Sequence, residues 1–224
     1  MKIIGHRGAR GLETENTLEA LRVGAATGAD RIEFDVWTTK DNVPVLLHDA
    51  DFKRMTGNSC RVFDTKISKI KSFKTIDGKK IPTAEEALKC VKGTPVYMEI
   101  KDYYLSDGIV DLLDRFVDMD IWVGSNNHKV LYELKKKRPA VKLYAGTLWH
   151  PIETMHFIRK NNIHGMSVQY RWFNPIIYYF CRYYKIDLLL YTVNNPFYMK
   201  FLNKVYPGVS IFTDYPDRAV KLLR

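Results

Sequence analysis

The chain has little cysteine and no uninterrupted apolar run long enough to span a membrane. Its 224 residues include three cysteines, Cys60, Cys90 and Cys181, which are far apart and form no C-x-x-C pair. This spacing excludes a disulfide framework and a thiolate zinc site, and it fits a reducing compartment. The N-terminus shows no apolar leader segment, and charged residues interrupt the most apolar stretch, residues 172–191. We therefore expect a cytoplasmic protein without stable membrane insertion.

Several common motifs and segment types are also absent. No low-complexity segment and no Gly/Ser-rich or Pro-rich linker divides the chain, which predicts a single domain over residues 1–224. There is no P-loop and no nucleophile elbow. Gly5, Gly8 and Gly11 form a glycine-rich turn, but their spacing does not match the dinucleotide-binding fingerprint. The chemistry must therefore come from other residues.

Basic residues exceed acidic ones, at 35 Lys and Arg against 25 Asp and Glu, so the formal net charge is +10. Such a charge favours anionic ligands through long-range attraction. A nucleic-acid-binding protein is one alternative, and it predicts binding that weakens steeply with salt. Against this alternative, the basic residues are scattered and lack interleaved aromatic platforms. We expect a small-molecule substrate and no nucleic acid.

Short apolar runs alternate with helical patterns along the whole chain, which predicts a mainly parallel sheet in an α/β fold. About eight such units in this length suggest a closed (β/α)8 TIM barrel. The predicted strands lie at residues 3–4, 31–37, 44–47, 96–100, 121–124, 141–145, 166–168, 188–193 and 210–212.

This pattern contains nine strands, one more than a barrel needs. A tight turn over residues 38–42, with Asp41-Asn42 at its centre, would join the second and third strands as a hairpin and account for the extra one. Residues 51–81 contain no complete strand–helix unit and are basic. We expect them to form a short excursion over the barrel mouth.

Two carboxylates alternate with apolar residues on the second predicted strand. The period of two puts Glu33 and Asp35 on one face, and Ile32, Phe34 and Val36 on the other. Two acids one pleat apart repel, so that one would protonate unless a cation is present. Solvated acids on an exposed strand face are the alternative interpretation.

The strand at residues 96–100 repeats this arrangement. Glu99 and Lys101 share one face, so Glu99 can supply a third oxygen ligand and Lys101 can reach a phosphate oxygen. A solvent-facing ion pair is again the alternative. Three carboxylates suit Mg²⁺, Ca²⁺ or Mn²⁺ better than zinc.

Histidines follow two of the apolar runs. His6 and His48 stand at predicted strand ends, where the ligand crevice of an α/β fold lies. Two imidazoles can divide the work, one accepting a proton from the nucleophile and the other protonating the leaving alkoxide. Arg7 can bind a phosphate in a bidentate manner, and Lys101 can add a point charge. We assign no role to the remaining histidines, His128, His150, His156 and His164.

Taken together, these blocks resemble the glycerophosphodiester phosphodiesterase family. The matching stretches are HRGARG, TENTLEAL, GADRIEFDVWTTKDNVPVLLHD, IPTAEEAL, YMEIK, YTVNN and FTDYPD, in the family's order across almost the whole chain. The resemblance implies a TIM barrel that hydrolyses glycerophosphodiesters to glycerol 3-phosphate and an alcohol, within lipid and glycerol metabolism. It implies that Glu33, Asp35 and Glu99 bind the divalent ion, with His6 and His48 as the acid–base pair and Arg7 and Lys101 on the phosphate.

The chain departs from the family pattern at several positions. Thr14 and Asn42 stand where Pro and Gly are usual, an aromatic residue is missing at Asn126, and Tyr191 stands where Trp is common. We expect the last two to affect substrate preference and not the reaction class. A lysophospholipase D acting on lipid head groups is therefore the second hypothesis, with the Tyr-rich residues 178–191 near a membrane. These residues also fit a barrel helix and the next strand, which the spacing favours.

Overall fold

The computed structural model describes residues 1–147 and 150–224. Within these ranges one sheet contains nine strands. They are β1 (Ile3–Gly5), β2 (Arg31–Thr38), β3 (Pro44–Leu46), β4 (Val96–Ile100), β5 (Ile121–Ser125), β6 (Lys142–Thr147), β7 (Gly165–Gln169), β8 (Asp187–Tyr191) and β9 (Ser210–Thr213).

Eight of these strands form a closed parallel barrel. The sheet runs from β1 through β9 and β8 round to β4 and β2, and β1 also pairs with β2, which closes the ring. The remaining strand, β3, pairs antiparallel with β2, with Val36 opposite Leu46. The predicted (β/α)8 barrel is confirmed, and so is the hairpin that explains the ninth strand.

Helices lie between the strands, and their starts follow ordinary capping chemistry. Thr83 forms a capping box with Glu86, and a proline occupies the first turn of each of the last four helices. The helices are α1 (Leu18–Ala26), α2 (Lys53–Thr56), α3 (Ile67–Ile70), α4 (Ala84–Cys90), α5 (Asp107–Arg115), α6 (His128–Lys137), α7 (Pro151–Asn161), α8 (Pro175–Tyr183), α9 (Pro196–Val205) and α10 (Pro216–Leu223), with 3-10 turns at Val62–Asp64 and Tyr170–Trp172.

Two apolar layers hold the barrel together. The larger one lies between the sheet and the surrounding helices. The smaller one is a separate cluster of large side chains with rings in mutual contact. Gly165 makes room for Tyr144 and Gly124 makes room for Tyr97, because a Cβ at either glycine would overlap the neighbouring ring. The cluster consists of Ile4, Tyr97, Trp122, Tyr144, Leu189 and Phe212.

Residues 51–81 form the predicted excursion, and they are more ordered than the sequence suggests. Helices α2 and α3 belong to this segment, together with an apolar cluster that includes Phe52, Ile70 and Phe73. Arg54 pairs with Glu15, so the excursion is tied to the loop that follows β1. Within the described ranges, none of the helices combines the length and apolar character that a membrane crossing requires.

Candidate functional site

Three carboxylates meet inside the barrel, close to the C-terminal ends of the strands. Glu33 and Asp35 project from β2, and Glu99 projects from β4, where it is the register partner of Asp35. One oxygen from each of the three side chains lies within 4.8 Å of the others. The period of two along β2 and the parallel pairing with β4 together produce this cluster. The structure thus brings together the three predicted metal ligands.

These acids are not on a solvated strand face. Glu33 and Asp35 are each 1% exposed. Burial, followed by repulsion from Asp35 and Glu99, raises the pKa of Glu33 well above its usual value. Burial alone would raise the pKa of Asp35 as well, but attraction by Lys101 and Arg7 outweighs it and lowers that pKa. The repulsion between the two acids, which the sequence predicts, therefore raises the pKa of Glu33, whereas nearby cations keep Asp35 ionised.

Two cations, buried Arg7 and partly buried Lys101, lie beside the carboxylates. Lys101 Nζ lies 3.0 Å from Asp35 Oδ1 and 2.8 Å from Glu99 Oε1. The Arg7 guanidinium lies 2.8 Å from Glu15 through Nη1 and 3.2 Å from Asp35 through Nε. In this structure both side chains contact carboxylates, and binding of a phosphate by Arg7 and Lys101 stays a prediction.

The residues of this cluster fit a divalent cation. Glu33 Oε2 accepts a hydrogen bond of 2.5 Å from the Arg7 backbone N–H, while Glu33 Oε1 is buried and has no hydrogen-bond partner among the described residues. A buried carboxylate oxygen without a partner is costly, and coordination to a cation would remove that cost. Carboxylate oxygens are the donors that Mg²⁺, Ca²⁺ and Mn²⁺ prefer.

The first predicted histidine follows β1 and is held from the opposite end of the chain. His6 Nδ1 lies 2.6 Å from Asp214 Oδ1, and Asn194 donates a hydrogen bond of 2.7 Å to the other oxygen of Asp214. Burial raises the pKa of Asp214, but the hydrogen bond and charge of His6, together with Asn194 and Arg10, outweigh burial and lower that pKa. Asp214 therefore fixes the orientation of the imidazole through Nδ1.

The second histidine follows β3 and is held by a chain of ion pairs. His48 Nδ1 lies 2.8 Å from Asp49, whose other oxygen lies 2.5 Å from Arg54 Nε. Arg54 also contacts Glu15 at 2.6 Å, and Glu15 in turn contacts Arg7 at 2.8 Å. This chain connects His48 to the buried carboxylates through the excursion. Like His6, His48 is oriented by a carboxylate at Nδ1.

Sequence reasoning missed five residues of this site as functional residues. Asn16 donates to Asp35 Oδ2 at 2.9 Å and accepts from the Asp35 backbone at 3.1 Å, so it fixes that carboxylate. The TENT block, the HD at the end of the LLHD stretch and the FTDYPD block were a usable signal for four of them, and nothing in the sequence pattern singled out Arg54. The five are Glu15, Asn16, Asp49, Arg54 and Asp214.

Two positions where the chain departs from the family pattern lie next to Glu99. Asn126 donates a hydrogen bond of 3.2 Å to Glu99 Oε1. The Tyr191 hydroxyl donates to the Thr147 carbonyl at 3.1 Å, and its pKa is raised by burial and then by the charge of Glu99. Both residues therefore belong to the surroundings of the carboxylate cluster.

Two of the histidines left without a role have structural contacts. The His128 ring stacks on Phe157 with centroids 4.5 Å apart, and its Nε2 lies 3.0 Å from the Gly146 carbonyl. His164 Nδ1 accepts a hydrogen bond from the Leu143 backbone. Neither ring contacts the carboxylate cluster in the described part of the chain.

A closed parallel barrel with charged residues gathered at the C-terminal ends of its strands defines a class. This class is the (β/α)8-barrel enzymes, and their active sites lie at the C-terminal ends of the barrel strands. The residues present, acids with oriented imidazoles and buried cations, suit acid–base chemistry on an anionic substrate.

Comparisons with known proteins identify the family within this class. The family model of the glycerophosphoryl diester phosphodiesterases matches residues 6–145. A glycerophosphodiester phosphodiesterase from Caldanaerobacter subterraneus is 29% identical over 240 residues, which cover 99% of this chain and 97% of the relative. A human lysophospholipase D is 28% identical over 159 residues, 63% of this chain and 50% of the relative. The chain belongs to the glycerophosphoryl diester phosphodiesterase family, which confirms the family and enzyme class predicted from the sequence.

Solved structures show the same fold. A phosphodiesterase from Oleispira antarctica, in complex with the product sn-glycerol-3-phosphate, superposes with a TM-score of 0.91 at 21% identity, over 100% of this chain and 96% of that chain. A glycerophosphodiester phosphodiesterase from Thermotoga maritima gives a TM-score of 0.82 at 26% identity, over 98% and 97% of the two chains.

Proposed function

We propose that this protein hydrolyses glycerophosphodiesters, such as glycerophosphocholine or glycerophosphoethanolamine, to glycerol 3-phosphate and an alcohol, with the help of a divalent ion. The observation that carries the proposal is the cluster of buried Glu33 and Asp35 with partly buried Glu99, in which one Glu33 oxygen has no partner among the described residues. Family membership and the product named in the Oleispira antarctica complex support the same reaction.

The carboxylates would hold the ion, Mg²⁺, Ca²⁺ or Mn²⁺, which supplies neutralisation of the phosphodiester charge. Arg7 and Lys101 would turn toward the phosphate oxygens and stabilise the charge that develops there. For this role, Arg7 and Lys101 would have to give up contacts with carboxylates and form contacts with the phosphate when substrate binds.

His6 and His48 would serve as the acid–base pair. One Nε2 accepts the proton of the nucleophile, and the other protonates the leaving alkoxide. The nucleophile is water, or it is the glycerol 2-hydroxyl of the substrate, in which case a cyclic phosphodiester forms and water then opens it to glycerol 3-phosphate. Asp214 and Asp49 would keep each imidazole in the tautomer with a proton on Nδ1.

The test is an assay of purified protein with glycerophosphocholine, with and without chelator, following release of glycerol 3-phosphate. We expect activity that chelator abolishes and that added Mg²⁺, Ca²⁺ or Mn²⁺ restores. Glu33→Ala should remove metal-dependent turnover and leave the barrel folded. An active Glu33→Ala protein that ignores chelator would refute the metal site.

A second candidate substrate class is lysolipids. Tyr103 and Tyr104, which follow Lys101 after Asp102, are 59% and 71% exposed and offer apolar area beside the site. Comparing the kcat/KM values of a lysophosphatidylcholine and glycerophosphocholine separates the two classes. The cytoplasmic location and the single domain over residues 1–224 stay predictions.

A further inference from the structure

The outer side of α8 and α9 carries large apolar side chains that the barrel does not bury. Ile176 and Tyr183 on α8 are 75% and 79% exposed, and Phe197 on α9 is 80% exposed. We name the whole set the aromatic face. It consists of Trp172, Ile176, Tyr179, Tyr183, Phe197 and Phe201.

The spacing of these residues shows that they form an outward stripe on each helix. Ile176, Tyr179 and Tyr183 follow the helical spacing of three and four residues on α8, and the barrel side of α8 is supplied separately by Ile177 and Cys181. The helix is therefore apolar on both sides. Since packing of the barrel uses only one side, the outer stripe needs another explanation.

Ring contacts connect the segments that carry the two stripes, so the stripes lie on adjoining parts of the barrel exterior. Tyr206, after α9, contacts Tyr178 of α8 with ring centroids 5.0 Å apart, and it contacts Phe173 at 4.9 Å. Tyr170 contacts Tyr198 at 5.6 Å. These contacts link α8 and the turn before it to the start of α9 and to the residue after α9.

The same part of the chain is almost free of acid. Between residues 154 and 213 the only acidic residue is Asp187, against seven basic ones. Asp187 begins β8, so it lies at the end of the barrel away from the catalytic mouth. The basic residues are Arg159, Lys160, Arg171, Arg182, Lys185, Lys200 and Lys204.

The aromatic face reaches the edge of the catalytic mouth. Trp172 lies between β7 and α8, and Ile176 and Phe197 are the second residues of α8 and α9. Helix starts that follow strands lie at the C-terminal end of a (β/α)8 barrel, where the carboxylate cluster is. Whatever covers this face is therefore adjacent to the entrance of the site.

We propose that the aromatic face docks on a lipid surface that carries anionic head groups. Aromatic side chains in a segment with seven basic residues and one acid match the boundary between acyl chains and negatively charged head groups. A second copy of the chain fits poorly, because two such faces would bring like charges together. An anionic lipid surface would bury the apolar side chains and attract the basic residues at the same time.

The experiment is sedimentation of the full chain with vesicles of phosphatidylcholine alone or mixed with phosphatidylglycerol. We expect binding to the mixed vesicles that weakens as salt is added. The double variant Tyr183→Ser with Phe197→Ser should bind about tenfold more weakly or worse, since each ring removes substantial apolar burial. The matched control is Val117→Ser with Tyr132→Ser, which removes exposed apolar side chains elsewhere and should bind like the unchanged protein.

Two results would overturn the proposal. One is equal vesicle binding by the face variant and the unchanged protein, with both still hydrolysing glycerophosphocholine. The other is a dimer in lipid-free solution that the face variant abolishes, because a second copy would then cover the surface. Sedimentation needs no turnover, so the result stands whether or not the proposed hydrolysis is correct.

Discussion

The two ends of the barrel interior are filled in opposite ways. The mouth end holds Glu33, Asp35, Glu99 and Lys101, all charged and largely buried. A second interior layer is aromatic, and its rings stack or meet edge to edge at centroid distances from 4.6 to 5.7 Å. That layer is made of Tyr97, Trp122, Tyr144 and Phe212.

This difference separates stability from chemistry. Close-packed rings stabilise the fold through apolar burial and aromatic contacts. Buried like charges oppose folding unless they are paired, and Glu33 is the least well paired of the carboxylates. A mutation at the mouth should therefore change activity without loss of stability, and a mutation in the aromatic layer should do the reverse.

The largest expected effect is on activity, from Glu33→Gln. Loss of one ligand charge should lower kcat/KM about a thousandfold, because metal assistance is worth several kcal/mol in the transition state. The free energy of unfolding in chelator should stay equal or rise, since one buried repelling charge is removed. Urea titration and the glycerophosphocholine assay measure the two quantities, with the exposed Glu19→Gln as control. A large loss of stability would contradict the separation.

Tyr144→Ala should produce the opposite pattern. Removing this fully buried ring leaves a cavity among Tyr97, Trp122 and Gly165, and it should cost about 3–5 kcal/mol of unfolding free energy. Activity per folded molecule should remain, because the ring lies outside the carboxylate cluster. Thermal unfolding with and without substrate analogue is the measurement, and Tyr132→Ala, a more exposed tyrosine on α6, should change stability little.

A smaller effect distinguishes the supports of the two histidines. Asp214→Asn should lower kcat about a hundredfold, since His6 loses the carboxylate that fixes its tautomer. Arg54→Met should lower kcat about tenfold, because Arg54 acts on His48 only through Asp49. Arg54→Lys should restore part of the loss, and Arg61→Met on the same excursion should have no effect. If these variants changed only KM, or left the pH profile of kcat unchanged, Asp214 and Arg54 would not position the two histidines.

The residues that the sequence predicted well are those whose placement follows from local rules. Glu33 and Asp35 share a face because a strand alternates, and the β2–β3 hairpin follows from Asp41-Asn42. Thr83 begins a helix because its side chain and that of Glu86 cap each other. Each of these depends on a few neighbouring residues.

The residues that were missed depend on the path of the whole chain. Asp214 reaches His6 only because β9 pairs with β1 when the barrel closes. Arg54 joins Asp49 to Glu15 only because the excursion folds back over the loop after β1. No local period signals either contact, so a pattern search along one strand or helix does not find them.

The smallest expected effect is the pH dependence of stability in chelator, and it tests the mouth directly. The pKa of Glu33 is raised by burial and by its acidic neighbours, so ionised Glu33 opposes folding above its folded-state pKa. As pH falls through that pKa, folded Glu33 takes up a proton before the unfolded chain does, and this unfavourable contribution disappears. Glu33→Gln should therefore be more stable than the unchanged protein at neutral pH, and the difference should shrink as the pH approaches the unfolded value near 4.5.

The pKa of Asp35 is lowered, so its contribution has the opposite sign and is lost only at lower pH. Measuring unfolding free energies of both proteins between neutral pH and about pH 5 keeps the two effects apart, since Asp35 stays ionised in that range. A stability difference that is constant with pH would mean that Glu33 has the same ionisation state in the folded and unfolded protein, so that its pKa is not raised. The mouth would then not be the electrostatically costly end of the barrel.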